Sequence, residues 1–206
     1  MLSVNRERCR PADLAEAVTW LRRGRIVAFP TDTFYGLAVD PSSAAGVDAL
    51  FALKGRPSDL AIPLVAASRA QVDAWCDLSE LGSRLAEAFW PGPLSVICQA
   101  PADVAAAVHG GRGTVAIRVP DHAVARALAE AWGSPVTATS ANRTGEPPAR
   151  RAASLADWDA GQLLVIDGGE TAGGAPSTIV DARGETPVLL REGAIAWSRV
   201  LHSIQR

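Results

Sequence analysis

The residues best suited to chemistry in this chain stand at the ends of apolar runs. Ile26-Val27-Ala28-Phe29 stops at Pro30. Thr31, Asp32 and Thr33 follow at once, then Tyr35 and Gly36, then a second apolar step, Leu37-Ala38-Val39. A strand that ends in hydroxyls and a carboxylate resembles the rim of a site, because ligands collect near strand ends in open α/β sheets. A polar turn with no ligand would look the same. Lys54 and Arg56 come at the end of a helical pattern. Cations there favour the helix dipole, but lysine as a point charge and arginine as a fork also suit phosphate. Arg118 interrupts the apolar run TVAIRV. A charge in such a strand needs a partner or a cleft. A ligand carboxylate would serve, and so would an internal aspartate. Arg191 repeats the pattern in VLLRE.

Ser140 and Asn142 follow a short strand and could donate hydrogen bonds to a ligand or close a side-chain turn. Ser177 and Thr178 fit a site or an ordinary strand. The glycine-rich runs 110–113 and 168–174 could cradle an anion or serve as plain turns. By composition the second is also the candidate mobile segment. The chain has no GxxxxGK[ST], GxGxxG or GxSxG motif. His109, His122 and His202 are scattered, so neither a serine or cysteine triad nor a built-in zinc or iron site has support. What remains is a set of fixed cations and hydroxyls without a nucleophile. Such a set suits an anionic ligand, above all a nucleotide, with chemistry run by positioning and charge stabilisation.

The elements that must hold these residues alternate helix and short strand, an α/β signal. The spacing of Leu14, Val18 and Leu21 predicts a helix from Pro11 to Arg23. Ser42 or Ser43 can cap a second, with Val47, Leu50 and Phe51 inward. Ser68, Ser79 and Asp121 are the expected caps of three more, the last with Val124, Leu128 and Ala131 inward and Gly133 at its end. A final helix is expected over Ala194 to Ile204. Strands are expected at 62–66, 94–98, 114–119, 135–139, 162–166, 178–180 and 188–190. TVAIRV and STIVD, close to turns, point to a partly antiparallel sheet. No repeat or long linker divides residues 1–206, so one domain is expected.

Composition narrows the function classes. Hydrophobic residues are 48%, which excludes a disordered chain. Net charge is -2, so any nucleic-acid contact would be local rather than a matter of bulk charge. No apolar run approaches a membrane span, and no signal-peptide core follows the N-terminus. Cys9, Cys76 and Cys98 are odd in number and far apart, which fits a reducing cytoplasm.

The ordered blocks FPTDTFYGLAVDP, LKGRP, WPGPLS, GTVAIRVP, TSANRTG, STIVD and LREGAI resemble the YrdC-like family of threonylcarbamoyl-AMP synthases, from about Ala15 to Ile195. The resemblance implies an open twisted mixed α/β sheet with flanking helices around a concave cavity. It implies formation of L-threonylcarbamoyl-AMP and pyrophosphate from L-threonine, bicarbonate and ATP with Mg²⁺. A separate transferase complex would then deliver the group to position 37 of tRNAs reading codons that start with A. By the same resemblance, Thr33, Tyr35, Arg118 and Ser177 would hold threonine. Lys54, Arg56, Thr114, Ser140, Asn142 and Arg191 would hold ATP. No residue would act as a protein-built metal ligand. Leu60 stands where many relatives carry Lys or Asn, Ser95 keeps the hydroxyl of a usual threonine, and the extra C-terminal domain of longer relatives is not expected.

Two other readings compete. The chain could be a double-stranded RNA- or tRNA-binding protein of the same fold, which the acidic balance disfavours. It could be a paralogue with a different substrate, which Leu60 keeps open.

Overall fold

The computed structural model of the chain describes residues 2–3, 11–55, 60–158 and 161–205. Cys9 and Arg56 lie outside them. Helices and short strands alternate as expected, and the strands divide into two mixed sheets. The first has the order β1 (Leu2–Ser3), β9 (Leu163–Asp167), β2 (Ile26–Pro30), β3 (Tyr35–Ala38), β8 (Thr139–Ser140). The second runs β11 (Val188–Arg191), β10 (Thr178–Asp181), β5 (Leu94–Gln99), β6 (Thr114–Arg118), β4 (Leu64–Val65), β7 (Val136–Thr137). The antiparallel pairs foreseen in the second sheet are β5 with β6 and β10 with β11.

Strand β2 explains why its sequence is apolar throughout. Successive side chains face opposite sides of a sheet. Ile26 and Ala28 enter a core with Leu37, Leu50 and Ile117. Val27 and Phe29 enter another with Leu21 and Leu128. The second core lies under α1 (Pro11–Arg22) and α6 (Ala123–Trp132). A third core sits between β5, β10 and the helices α4 (Glu80–Phe89) and α7 (Trp197–Ile204).

Helix caps follow local chemistry in most places. Ser43 Oγ accepts from Gly46 N at 3.1 Å at the start of α2 (Ala44–Lys54), which ends on Gly55 at φ +57°. Ser68 and Ser79 cap as expected. Asp121 does not. His122 occupies the cap position of α6 without a side-chain bond, and the Asp121 backbone N–H turns to Asp32 instead. Ala125 and Ala129 face inward on α6, while Ala131 is exposed. Helix α7 begins at Trp197, not Ala194. Ala194 N donates to Pro176 O and Ile195 N to Thr178 Oγ1, which keeps both residues in a loop.

Residues 136–140 join the two sheets. Val136 and Thr137 pair with β4, and Thr139 and Ser140 with β3. Thr137 Oγ1 accepts from Val39 N at 2.8 Å and donates to Leu37 O at 3.2 Å. One short segment therefore fixes the spacing of both sheets. A second tie crosses the first sheet. Tyr35, fully buried, donates from its hydroxyl to Gly169 O at 2.8 Å. Asp167 Oδ1 accepts from Gly169 N at 3.0 Å, and Gly173 N donates to Thr33 O at 2.7 Å. The glycine-rich run 168–174, expected from composition to be mobile, is thus pinned by hydrogen bonds along its length.

Burial, with the nearby Asp167 charge second, pushes the Tyr35 phenol up to about 12. Its proton is retained more firmly in the folded than in the unfolded chain. That stabilisation is complete below the unfolded value near 10 and is lost as pH rises through the folded one. Tyr35 is the sole tyrosine of the sequence, so phenolate absorbance reports on it alone. The folded protein is expected to titrate near the upper value and the denatured protein near the lower. Tyr35→Phe is expected to lower stability by about 1–2 kcal/mol at neutral pH. The gap to wild type should close between those two pH values in denaturant titrations.

Candidate functional site

A cavity of about 160 Å³ opens at the seam of the sheets. Thr31, Thr33 and Tyr35 line it from the first sheet, Arg118, Ile179 and Arg191 from the second, with Ser140 and Ser177 at its edges. The register explains the second wall. Ile117 pairs with Val96, which places Arg118 opposite Ser95. Ser95 pairs with Ile179, and Ile179 with Arg191. These four residues form one row across β6, β5, β10 and β11. At about 4.8 Å per strand the backbones of the two arginines stand roughly 14 Å apart. One cavity thus carries a guanidinium at each end.

Arg118 is nearly buried, its side chain 7% exposed. Its Nη1 forms an ion pair with Asp32 Oδ1, and Asp32 Oδ2 accepts from Asp121 N at 3.2 Å. Of the two partners the sequence left open, the internal aspartate is present. Arg118 Nη2 lies 3.4 Å from Thr31 Oγ1. Thr31 Oγ1 donates to Phe34 O at 2.7 Å. A hydroxyl has a single proton, so Thr33 must be the donor in the 3.1 Å contact between the Thr31 and Thr33 hydroxyls. Thr33 is then left with lone pairs for a ligand. It suits a ligand N–H or O–H, not a carboxylate.

At the other end, Arg191 donates through Nε and Nη2 to Ser177 O at 3.1 and 2.8 Å and through Nη2 to Ser177 Oγ at 3.1 Å. Ser177 Oγ lies 3.2 Å from the fully buried Ser95 Oγ. Thr178 Oγ1 donates to Ile195 O at 2.6 Å and accepts from Gly193 N and Ile195 N. A Cβ on Gly193 would stand 2.1 Å from Pro176 O, so only glycine lets the REGAI loop lie this close behind Ser177.

The remaining candidates divide. Tyr35 forms wall only, since its hydroxyl is engaged with Gly169. Ser140 lines the cavity but gives its proton to Asn142 Oδ1 at 2.5 Å. Asn142 Nδ2 donates to Arg143 O and Glu146 O, so the expected donors are used inside the turn. Asn142 borders a neighbouring cavity of about 320 Å³ with Pro148, Arg150 and Trp158. Thr114 stands at the opposite end of β6 from Arg118 and does not line the first cavity. Lys54 is buried on α2. Its Nζ donates to Ser140 O, to Asn142 O at 2.9 Å and to Asn142 Oδ1 at 3.3 Å. Thr144 N returns a bond to Lys54 O. In this structure Lys54 organises the Ser140–Asn142 turn rather than facing the first cavity.

Thr31, read from the sequence as part of a polar rim but given no ligand, lines the cavity, as do Ile179, Pro63 and Ala138, which sequence reasoning passed over. Ser95 and Thr31 carried a signal, a hydroxyl in or beside an apolar strand. Pro63 and Ala138 carried none. Lys54→Met keeps the aliphatic stem and removes the ammonium. It is expected to destabilise the fold by about 1–3 kcal/mol, because buried carbonyls lose their donor, and to speed amide exchange at residues 140–144. A lysine serving solely as a phosphate ligand would leave both unchanged.

Comparison with known proteins agrees with this architecture. The family model Sua5_yciO_yrdC, described as "Telomere recombination", matches residues 19–193. A threonylcarbamoyl-AMP synthase of Pyrococcus abyssi is 38% identical, covering 95% of this chain and 58% of the relative. One of Vibrio vulnificus is 37% identical, covering 88% of this chain and 99% of the relative. The crystal structure of P. abyssi Sua5 complexed with L-threonine superposes with a TM-score of 0.90 at 36% identity, covering 98% of this chain and 60% of that one. The chain thus spans under two thirds of the Pyrococcus relative and nearly all of the Vibrio one. With a match over most of its length, the chain belongs to the Sua5/YciO/YrdC family.

Proposed function

We propose that this chain is an L-threonylcarbamoyladenylate synthase, joining L-threonine, bicarbonate and ATP into L-threonylcarbamoyl-AMP and pyrophosphate. The observation that carries the reading is Arg118, a nearly buried cation in a cavity of about 160 Å³ shared with the acceptor hydroxyl of Thr33. Its guanidinium has N–H groups beyond the one that meets Asp32. A small amino acid can lay its carboxylate there and its amine or hydroxyl against Thr33, with Ala138 and Ile179 as apolar wall for a methyl group. The relatives' name and the threonine complex of the Pyrococcus protein support the choice of threonine.

The chemistry balances without a protein nucleophile. The threonine ammonium first gives up a proton to solvent, and the amine attacks the carbon of bicarbonate or CO₂. With CO₂ a C–O π bond opens and an N–H proton leaves to solvent; with bicarbonate a C–O bond breaks and that proton leaves with the hydroxyl as water. The resulting carbamate oxygen attacks the α-phosphorus of ATP, and the bond to pyrophosphate breaks. What the protein supplies is alignment and charge. ATP would lie toward Arg191 and the Ser140–Asn142 turn, with Arg56 and Thr114 as further candidates. Mg²⁺ would arrive as part of the MgATP substrate. Among the described residues no group of three His, Cys, Asp or Glu could seat a metal.

The product would pass to a separate transferase that modifies tRNA, so tRNA is an indirect partner. On this reading the work would be done in the cytoplasm. The free thiols of Cys76 and Cys98 fit such a compartment, and no described helix is long and apolar enough to cross a membrane.

Purified protein with MgATP is expected to release pyrophosphate only when both L-threonine and bicarbonate are present, with an AMP-linked product. Release that ignores threonine, or none at all, overturns the reading; salt-sensitive RNA binding in its place would favour the RNA-binding alternative. Arg118→Ala is expected to raise the threonine KM at least 100-fold while ATP binding changes little, since the lost contact is to a charged group. An unchanged threonine KM would remove Arg118 from the substrate.

A further inference from the structure

Asp32 stands between the two threonines of the PTDT block and has so far no part in the reaction. Its surroundings are unusual for a carboxylate beside an anion site. The side chain is 10% exposed. One oxygen meets Arg118 Nη1, and the other takes the backbone N–H of Asp121. Asp32 therefore spans the seam, from the end of β2 in the first sheet to the turn after β6 in the second.

Among the described residues no second cation forms an ion pair with it. Asp121 extends toward Arg126, with 3.5 Å between the charged atoms. Burial holds His122 below its ordinary value, so the imidazole stays neutral at neutral pH despite Asp32 nearby. Among the described residues, Asp32 is the one carboxylate in an ion pair with Arg118.

A lone buried arginine would attract any anion, phosphate among them. With Asp32 against it, the pair sums to zero. A zwitterion still gains from such a pair, its carboxylate on the guanidinium and its ammonium drawn toward the aspartate. A phosphate gains from the first contact and is repelled by the second.

We propose that Asp32 is a positioning residue that fixes the Arg118 guanidinium and cancels its charge, so that the cavity selects a zwitterionic amino acid over phosphate. This rests on the reading that the cavity binds an amino acid at Arg118.

The test compares wild type, Asp32→Asn and Asp32→Glu by calorimetric titration with L-threonine and with inorganic phosphate. Wild type is expected to bind threonine with affinity that millimolar phosphate leaves unchanged. In Asp32→Asn, threonine affinity is expected to fall at least ten-fold. Phosphate should become a competitor, with affinity at least ten-fold above wild type, and should raise the melting temperature of the variant alone. A residue that merely supported the fold would not create a phosphate site. Asp32→Glu keeps the charge but displaces it. It is expected to exclude phosphate as wild type does while raising the threonine KM with kcat nearly retained.

Phosphate binding no tighter in Asp32→Asn than in wild type overturns the proposal. If that variant does not fold, phosphate competition in Asp32→Glu overturns it instead. Wild type that fails to bind threonine overturns the synthase reading, and the phosphate comparison still decides the role of Asp32.

Discussion

The structure depends on a buried cation held at the meeting line of two sheets. Arg118 ends a strand whose three central residues are apolar, and its side chain is nearly buried. Removing a charge from water is costly unless it is paired and hydrogen-bonded, and breaking such a pair costs about 3–5 kcal/mol. Asp32 satisfies it from the neighbouring sheet. The pair is therefore a constraint on architecture before it is part of a site. The end of β2 and the end of β6 must come together, or neither charge is compensated. The crossing segment 136–140 sets the same distance through backbone pairing. Two independent devices fix one gap, and the cavity is that gap.

The same logic repeats at Lys54 and Arg191. Each cation reaches from one element to the backbone carbonyls of a loop that another element carries. Lys54 gathers the Ser140–Asn142 turn, and Arg191 gathers Ser177. Ordered loops carrying polar groups are expensive in conformational entropy. Here charge-assisted bonds to carbonyls offset that cost. The cations at and beside the rim have protein partners before any ligand arrives. Such pre-set positions suit the proposed reaction, in which the protein aligns three partners and forms no covalent bond itself.

Much of the fold was legible because local rules decide it. Serine caps, glycine ends and the apolar runs that become buried strands all act within a few residues. The errors fall where a distant contact overrode a local preference. Asp121 looks like a cap, but its backbone N–H is taken by Asp32, which lies 89 positions earlier. Ala194 looks helical, but Pro176 O and Thr178 Oγ1 hold its loop. The division into two sheets turns on Ala138, between two strand pairs of two residues each, and nothing in an alanine announces a change of sheet. The site was legible as a set of residue types and not as a set of roles. Lys54 and Asn142 were visible as polar groups at element ends. Their engagement with each other, 88 positions apart, was not, because no local pattern encodes it.

Hydrogen-bond polarity separates side chains that residue identity alone does not. Thr31 and Thr33 are chemically alike, yet the Phe34 carbonyl takes the proton of the first and thereby turns the second into an acceptor. Arg118 and Asp32 are opposite charges, yet held together they present a surface with direction and no net sign. On the proposed reading, a cavity with one donor pole, one acceptor hydroxyl and balanced charge would distinguish an amino acid from a phosphate of similar size by the arrangement of its protons. A second guanidinium, that of Arg191, stands three strands away at the other end of the same row, with Ser177 among its partners. Two unlike subsites in one row are what a reaction between a zwitterion and a polyanion requires.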